Sequence, residues 1–240
     1  MKHSLIHSSW DAVFEKALAK LSNEFKDYIK NGNYLPGAEQ LFAAFRIPQK
    51  DVEVILIGES PYPRIESANG YAFWDASVGS LWSEKGLSKA VNRATSLRNI
   101  MKMLLHAQGL LKPPFSPEDI AEISKKNMPQ TLDELFHQMI HHGFLLLNAS
   151  LTWSSDKPVS WHAKNWYPFI HYILEDLLIQ KPDIQILLFG KIAEKFKNLP
   201  RKNCIIAEHP YVLSFIENPQ VLNFFQNLNL LRANHVESIS

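Results

Sequence analysis

The chain reads as an α/β protein, a three-layer α/β/α sandwich around a mostly parallel four-stranded sheet. Three observations lead there. Four short, nearly unbroken apolar runs recur along it: VEVILIG at 52–58, FLLLN at 144–148, IQILLFG at 184–190 and CIIAE at 204–208. Runs of that length without alternation are the pattern of strands buried on both faces. Segments with helical spacing separate them, so the strands are joined by crossovers and run parallel. Prolines and glycines are scattered as loop punctuation, with no repeat and no Gly/Ser linker, which predicts one domain spanning 1–240.

In chain order, Trp10, Val13, Phe14, Leu18, Leu21 and Phe25 recur at helical spacing over 9–29, with Ser8 and Ser9 available as N-caps. NGNYLPG then breaks the pattern. A shorter amphipathic piece, 39–45, leads through Pro48 into the first strand. Further helices are predicted over 97–107, 132–141, 166–180, 191–197 and 213–228.

Composition excludes several classes. Lys and Arg number 25 against 24 Asp and Glu, so no global positive field advertises a polyanion and any nucleic-acid surface must be local. A single cysteine, Cys204, rules out an internal disulfide framework, a four-cysteine zinc site and a cysteine-ligated iron–sulfur cluster. No window approaches the roughly 20 apolar residues of a membrane span, and MKHSLIHSSWDAVFEKAL lacks a signal-peptide core. A soluble cytoplasmic protein without cofactor or membrane partner is expected.

In parallel α/β sheets ligands bind beyond the carboxyl ends of the strands. After the first strand comes Gly58-Glu59-Ser60-Pro61-Tyr62-Pro63-Arg64, where glycine lets backbone approach a ligand, followed by an acid, a hydroxyl and a proline-stiffened turn. The same loop equally suits a tight connection with a solvated glutamate. Tyr71-Ala72-Phe73-Trp74 offers rings for core packing or for stacking a planar ligand. Asn148 ends an apolar strand with a donor and an acceptor side by side, complementing a nucleobase edge or capping the next loop. His209, followed by Pro210, lies where a ring nitrogen can donate to a developing anion, although a lone histidine is as readily structural.

Order and spacing make these segments resemble the uracil-DNA N-glycosylases. LPGAEQLFAAFRIPQKDVEVILIGESPYP is similar to that family's Pro-rich approach, Phe-x-Ala-Phe helix, strand and Gly-Gln-Asp-Pro-Tyr-His motif. GYAFWD resembles its Gly-Leu-Ala-Phe-Ser segment, TSLRNIMKML its Pro-Ser-Leu-x-Asn helix, and GFLLLNASLTW its Val-Leu-Leu-Leu-Asn-x-x-Leu-Thr. WYPF, LLFGKIAEKF and EHPYVLS follow its Trp-Glu-x-Phe, Leu-Leu-Trp-Gly-x-x-Ala and His-Pro-Ser-Pro-Leu-Ser. The resemblance runs from about Trp10 to Phe225.

It implies a monomeric DNA glycosylase of base-excision repair, acting on single- or double-stranded DNA without metal or organic cofactor. Gly58, Tyr62, Phe73 and Asn148 are then base-binding: Tyr62 excludes a 5-methyl group, Phe73 stacks and Asn148 bonds the base edge. His209 stabilises charge at the base O2, and Leu213 is the wedge that replaces the flipped nucleotide. Ser96, Pro210 and Ser214 meet DNA, the two serines through phosphates. The first motif departs from the pattern, because Glu59-Ser60 stands for Gln-Asp and Pro63 for His. Relatives in the wider superfamily carry Gly-Glu-Ala-Pro-Gly, so Glu59 resembles an acid moved one position earlier, with Ser60 beside it at the catalytic position. The competing expectation is an attenuated DNA-binding or replication-associated homologue. Trp153, Trp161, His162 and Trp166 form an aromatic-rich stretch that either grips DNA or packs.

Overall fold

The computed structural model describes residues 6–232; the ends of the expected 1–240 domain, residues 1–5 and 233–240, lie outside the described residues. The strands are β1 (Val54–Gly58), β2 (Trp82–Ser83), β3 (Gly86–Leu87), β4 (Phe144–Asn148), β5 (Gln185–Phe189) and β6 (Cys204–Ala207). The helices are α1 (Asp11–Ala19), α2 (Asn23–Asn31), α3 (Lys89–Arg93), α4 (Thr95–Ala107) and α5 (Pro117–Glu122). They continue with α6 (Leu132–His141), α7 (Val159–Gln180), α8 (Ile192–Lys195) and α9 (Pro219–Phe225). The fold is mixed α/β, as the sequence predicts, on a four-stranded sheet of order β4-β1-β5-β6. All four predicted strands are present, and β1 pairs in parallel with both β4 and β5.

Every residue of β1 and of β4 is buried, as their unbroken apolar sequence demands. Gly58 lies opposite Asn148 at the carboxyl end of the β1–β4 pair. Pairing continues past the strands, with Ala149 N–H donating to Gly58 O at 2.9 Å and Ser150 N–H to Glu59 O at 3.0 Å. The motif turn therefore starts from fixed backbone. The two-residue strands β2 and β3 form a small antiparallel pair that the sequence pattern does not show.

Three helical expectations change. The 9–29 stretch is two helices, because Ser22 caps a second one by accepting the Phe25 N–H at 3.2 Å. Ser8 and Ser9 do not cap α1, whose N-cap is Trp10 without a side-chain bond, and Ser9 Oγ instead accepts the Gln49 N–H at 2.8 Å. The 213–228 stretch is a 3₁₀ turn, Leu213–Glu217, then α9, since Asn218-Pro219 ends one helix and starts the next. In addition α7 begins at Val159, well before Trp166, and the 39–45 piece is a 3₁₀ turn at Ala43–Arg46.

The chain divides into two compact units: 1–77 with 143–188 and 192–205, and 78–142 with 189–191 and 206–240. The first is filled by Trp10, Phe14, Phe45, Trp166 and Phe169, whose rings meet edge-on, Phe14 to Phe45 at 4.7 Å and Phe14 to Phe169 at 5.2 Å. The second buries Leu81, Met101, Leu105, Leu132, Phe215 and Val221. No helix among the described residues is long and apolar enough to cross a membrane.

Candidate active site

The first unit holds Gly58, Glu59, Ser60, Tyr62, Phe73 and Asn148. Asn148 is 2% exposed at the end of β4. A Cβ on residue 58 would stand 2.6 Å from Asn148 Oδ1 and 2.9 Å from Ala72 Cβ, so only glycine leaves room for the amide. Among the described residues that amide makes no hydrogen bond through its side chain. Its polar atoms are not sealed from solvent without partners, as Asn99 Oδ1 and Asn203 Oδ1 are, so the amide keeps a tip that a ligand edge can reach.

The segment 71–74 is laid against β4, with the Ala72 N–H donating to Leu146 O at 3.1 Å. Phe73 follows with φ at +63°, a left-handed conformation that bulky residues rarely adopt. Tyr62 crosses above, its hydroxyl donating to Phe73 O at 3.3 Å. Burial first, then the Asp75 carboxylate, push the Tyr62 phenol up to about 12, against a smaller opposing effect of Arg64. The ring is therefore a neutral wall.

A buried carboxylate holds this loop closed. Asp75 accepts from the Ser77 N–H at 3.0 Å, the Ser77 hydroxyl at 2.6 Å and Arg64 Nη2 at 3.1 Å. Gly70, at φ +86°, passes so close to Gln40 O that a Cβ would stand 2.0 Å from it. Gly70 stands at the head of the GYAFWD segment, but nothing in the local pattern gives Asp75 this role, since the staple joins residues eleven positions apart. Glu59 points outward, its side chain 67% exposed, and pairs with Lys195 Nζ at 3.3 Å. Lys195, like Asp75, is a residue the sequence did not single out. Ser60 is half-buried beside it.

The second unit holds Ser96, His209, Pro210, Leu213 and Ser214. His209 is exposed, and its Nδ1 accepts the Tyr211 N–H at 3.1 Å. That bond assigns the proton of the neutral ring to Nε2, making Nε2 a donor. Gly190, at φ +70°, permits the approach, because a Cβ there would lie 2.8 Å from His209 Cβ. Buried Asn99 in α4 donates from Nδ2 to Pro210 O at 2.7 Å. Ser96 sits in the first turn of α4, whose N-cap Ala94 supplies no side-chain bond, so first-turn N–H groups are available to an anion. Ser214 is exposed and its hydroxyl bonds Glu208, holding that carboxyl below the usual carboxylate range. A phosphate gripped by Ser214 has to compete with that carboxylate.

The aromatic stretch after β4 packs: Trp166 and His162 are fully buried, and Trp161 lies edge-on to Phe25 and Tyr28 at 5.5 and 5.0 Å. Among the described residues no cluster of His, Cys, Asp and Glu is arranged to hold a metal ion.

No family model matches the chain. Uracil-DNA glycosylase of Thermobifida fusca is 27% identical over 218 residues, covering 88% of this chain and 82% of that protein. Its counterpart in Borreliella burgdorferi is 29% identical over 220 residues, covering 85% and 83%. The crystal structure of UNG from Nitratifractor salsuginis superposes with a TM-score of 0.89 at 35% identity, covering 96% of this chain and 94% of that one. Mimivirus uracil-DNA glycosylase, 18% identical with a TM-score of 0.58 over 86% of this chain and 70% of that one, shares the fold. The four strands, the Gly58–Asn148 niche and the near full-length match at 35% identity agree, and the chain belongs to the uracil-DNA glycosylase superfamily.

Proposed function

We propose that the chain is a DNA glycosylase that hydrolyses the bond between deoxyribose and uracil, or a related deaminated or modified pyrimidine, as in base-excision repair. One observation carries this reading: the 2%-exposed Asn148 amide, in a niche that only Gly58 leaves open, with its hydrogen-bonding capacity unspent on protein. Uracil offers that amide an adjacent carbonyl and N–H. Tyr62 closes the niche against a 5-methyl group and Phe73 stacks on the ring.

A base inside a duplex is out of reach, so flipping costs a few kcal/mol that stacking and edge contacts offset. Leu213 fills the vacated step, while Ser96, Pro210 and Ser214 contact the backbone. In the reaction, water adds through its oxygen to C1′ as the N1–C1′ bond breaks, the electron pair leaves with the base, and the water proton ends on the base. His209 Nε2–H donates to the O2 that gathers charge, worth about 3 kcal/mol for one such donor. The sugar passes through a cationic state. Glu59 is the acid that orients water and faces that cation, and Lys195 is its resting partner at 3.3 Å. Ser60 carries no charge and serves only through its hydroxyl. We read the chain as one domain acting as a monomer in the cytoplasm.

Purified protein is incubated with oligonucleotides carrying uracil, hydroxymethyluracil or modified cytosine, and abasic sites are cleaved with alkali. Strand breaks at uracil are expected, and Glu59→Gln should slow them by about 10²-fold or more, the low end for an acid–base group. Absence of breaks on all substrates at high enzyme sinks the proposal. In that event Ser60→Asp distinguishes an attenuated homologue, which regains excision, from a protein without a working pocket.

A further inference from the structure

We infer that Tyr211 is a base-stacking residue, so that the loop bearing the Leu213 wedge also holds a nucleobase neighbouring the flipped nucleotide. The inference rests on the glycosylase reading and names a further DNA contact within it. Three consecutive apolar side chains stand in solvent on this loop: Tyr211 is 67% exposed, Val212 42% and Leu213 69%. Consecutive exposed apolar groups on a tethered loop mark a binding surface rather than ordinary scatter.

The backbone beneath them is fixed. Asn99 Nδ2 reaches Pro210 O at 2.7 Å and Tyr211 O at 3.4 Å, the Val212 N–H donates to His209 O at 3.0 Å, and the Phe215 N–H donates to Val212 O at 3.3 Å. Below, Phe215 is fully buried and meets Phe189 edge-on at 5.0 Å. Among the described residues Tyr211 spends its side chain on no hydrogen bond and no ring contact.

A rigid backbone presenting an uncommitted aromatic ring loses little entropy when a flat partner covers it, since tyrosine has two side-chain torsions to fix. Every base has a π-face, so such a ring binds bases without regard to sequence. The wedge supplies the occasion. When a nucleotide leaves the stack its neighbour loses a stacking partner, and Tyr211 is two residues from the leucine assigned to that gap. The resembled motif has serine at this position, so a base contact here replaces a hydroxyl with a ring.

The test uses the full chain and a single-stranded oligonucleotide with a tetrahydrofuran abasic site flanked on both sides by 2-aminopurine, so binding is read without turnover. Wild type should quench the fluorophore. Tyr211→Ser should bind about tenfold more weakly, within the range of one aromatic–base stack, and lose the quenching. Tyr211→Phe should restore both. Equal affinity and quenching in Tyr211→Ser overturns the inference, as does a Tyr211→Phe variant as impaired as Tyr211→Ser, which would make the contact a hydroxyl bond. Uracil release is measured in parallel. Quenching that depends on Tyr211 without uracil release defeats the glycosylase reading alone, whereas uracil release with a KM indifferent to Tyr211→Ser defeats the stacking alone.

Discussion

The connections that follow β4 and β6 are built from the same kinds of residue and put them to opposite use. After β4, residues 149–166 turn histidine, hydroxyls and tryptophan inward. Trp166 Nε1–H donates to Thr152 Oγ1 at 2.9 Å, and Thr152 Oγ1 lies 3.0 Å from His162 Nδ1. His162 Nε2 lies 3.1 Å from Ser154 Oγ, which also accepts the Tyr28 hydroxyl at 3.2 Å. Because the carboxylate of Asp156 only accepts, the Ser154 hydroxyl donates to it, so Nε2–H donates to Ser154 and the Thr152 hydroxyl donates to the remaining Nδ1. The Ser154 proton then serves Asp156, whose carboxyl it holds below the usual carboxylate range. After β6, residues 208–218 turn histidine, tyrosine and leucine outward on a backbone tied down by Asn99. A histidine with both nitrogens spent in the core is mortar. One whose Nδ1 accepts a backbone N–H and whose ring is exposed is, in the proposed reaction, the donor to the leaving base.

If that contrast is right, removing the two histidine environments has separable effects. His209→Ala should lower kcat for uracil excision about 10²- to 10³-fold, the usual loss of one charge-stabilising donor, while the thermal melting curve stays in place. Steady-state kinetics and calorimetry on one preparation decide it; a lower melting temperature with excision retained would reverse the assignment. Thr152→Val is the complementary cut. It keeps the shape but leaves Trp166 Nε1–H and His162 Nδ1 buried without a partner, costing about 2 kcal/mol. Urea unfolding should show the lower midpoint, and excision by the protein that remains folded should persist.

The contrast also explains which parts were legible in the sequence. Strands buried on both faces have a distinctive composition, so β1, β4 and β5 could be read directly, and β6 shares that composition although, at the sheet edge, three of its four residues are only half-buried. Site residues at strand ends could be read for the same reason: Gly58 and Asn148 close their strands and face each other in register. What could not be read depends on contacts distant in sequence. Nothing near Asp75 says that its carboxylate will be met by Arg64, and nothing near Glu59 announces Lys195, 136 positions away. The sequence leaves open whether the rings of 153–166 face water or core, because helical spacing is blind to the position of Tyr28 and Phe25, which cover Trp161. The break at Ser22 was masked by Leu21, whose apolar side chain continues the helical period across the junction and is itself buried.

The smallest effect expected is in pH dependence, and it tests the inward half of the comparison directly. Burial lowers the His162 pKa below its ordinary 6.5, with the Asp156 carboxylate opposing that shift and Lys157 adding to it. Below 6.5 the unfolded chain therefore binds a proton that the folded chain refuses, and stability rises with pH wherever the unfolded state binds more protons. The contribution of neutral His162 is complete above 6.5 and is lost as pH falls from there towards the lower folded value. Urea midpoints measured from about pH 7.5 down to about pH 5 should hold steady and then decline. His162→Gln keeps an amide among the same hydroxyls but cannot titrate, so its curve should be flatter over that interval. The carboxyl of Asp156, also lowered, acts in a separate window below its ordinary 3.8, so it leaves the higher interval to the histidine. Parallel curves for wild type and His162→Gln would mean that His162 takes up its proton without disturbing the network, and that the inward connection tolerates a charge the packing argues it excludes.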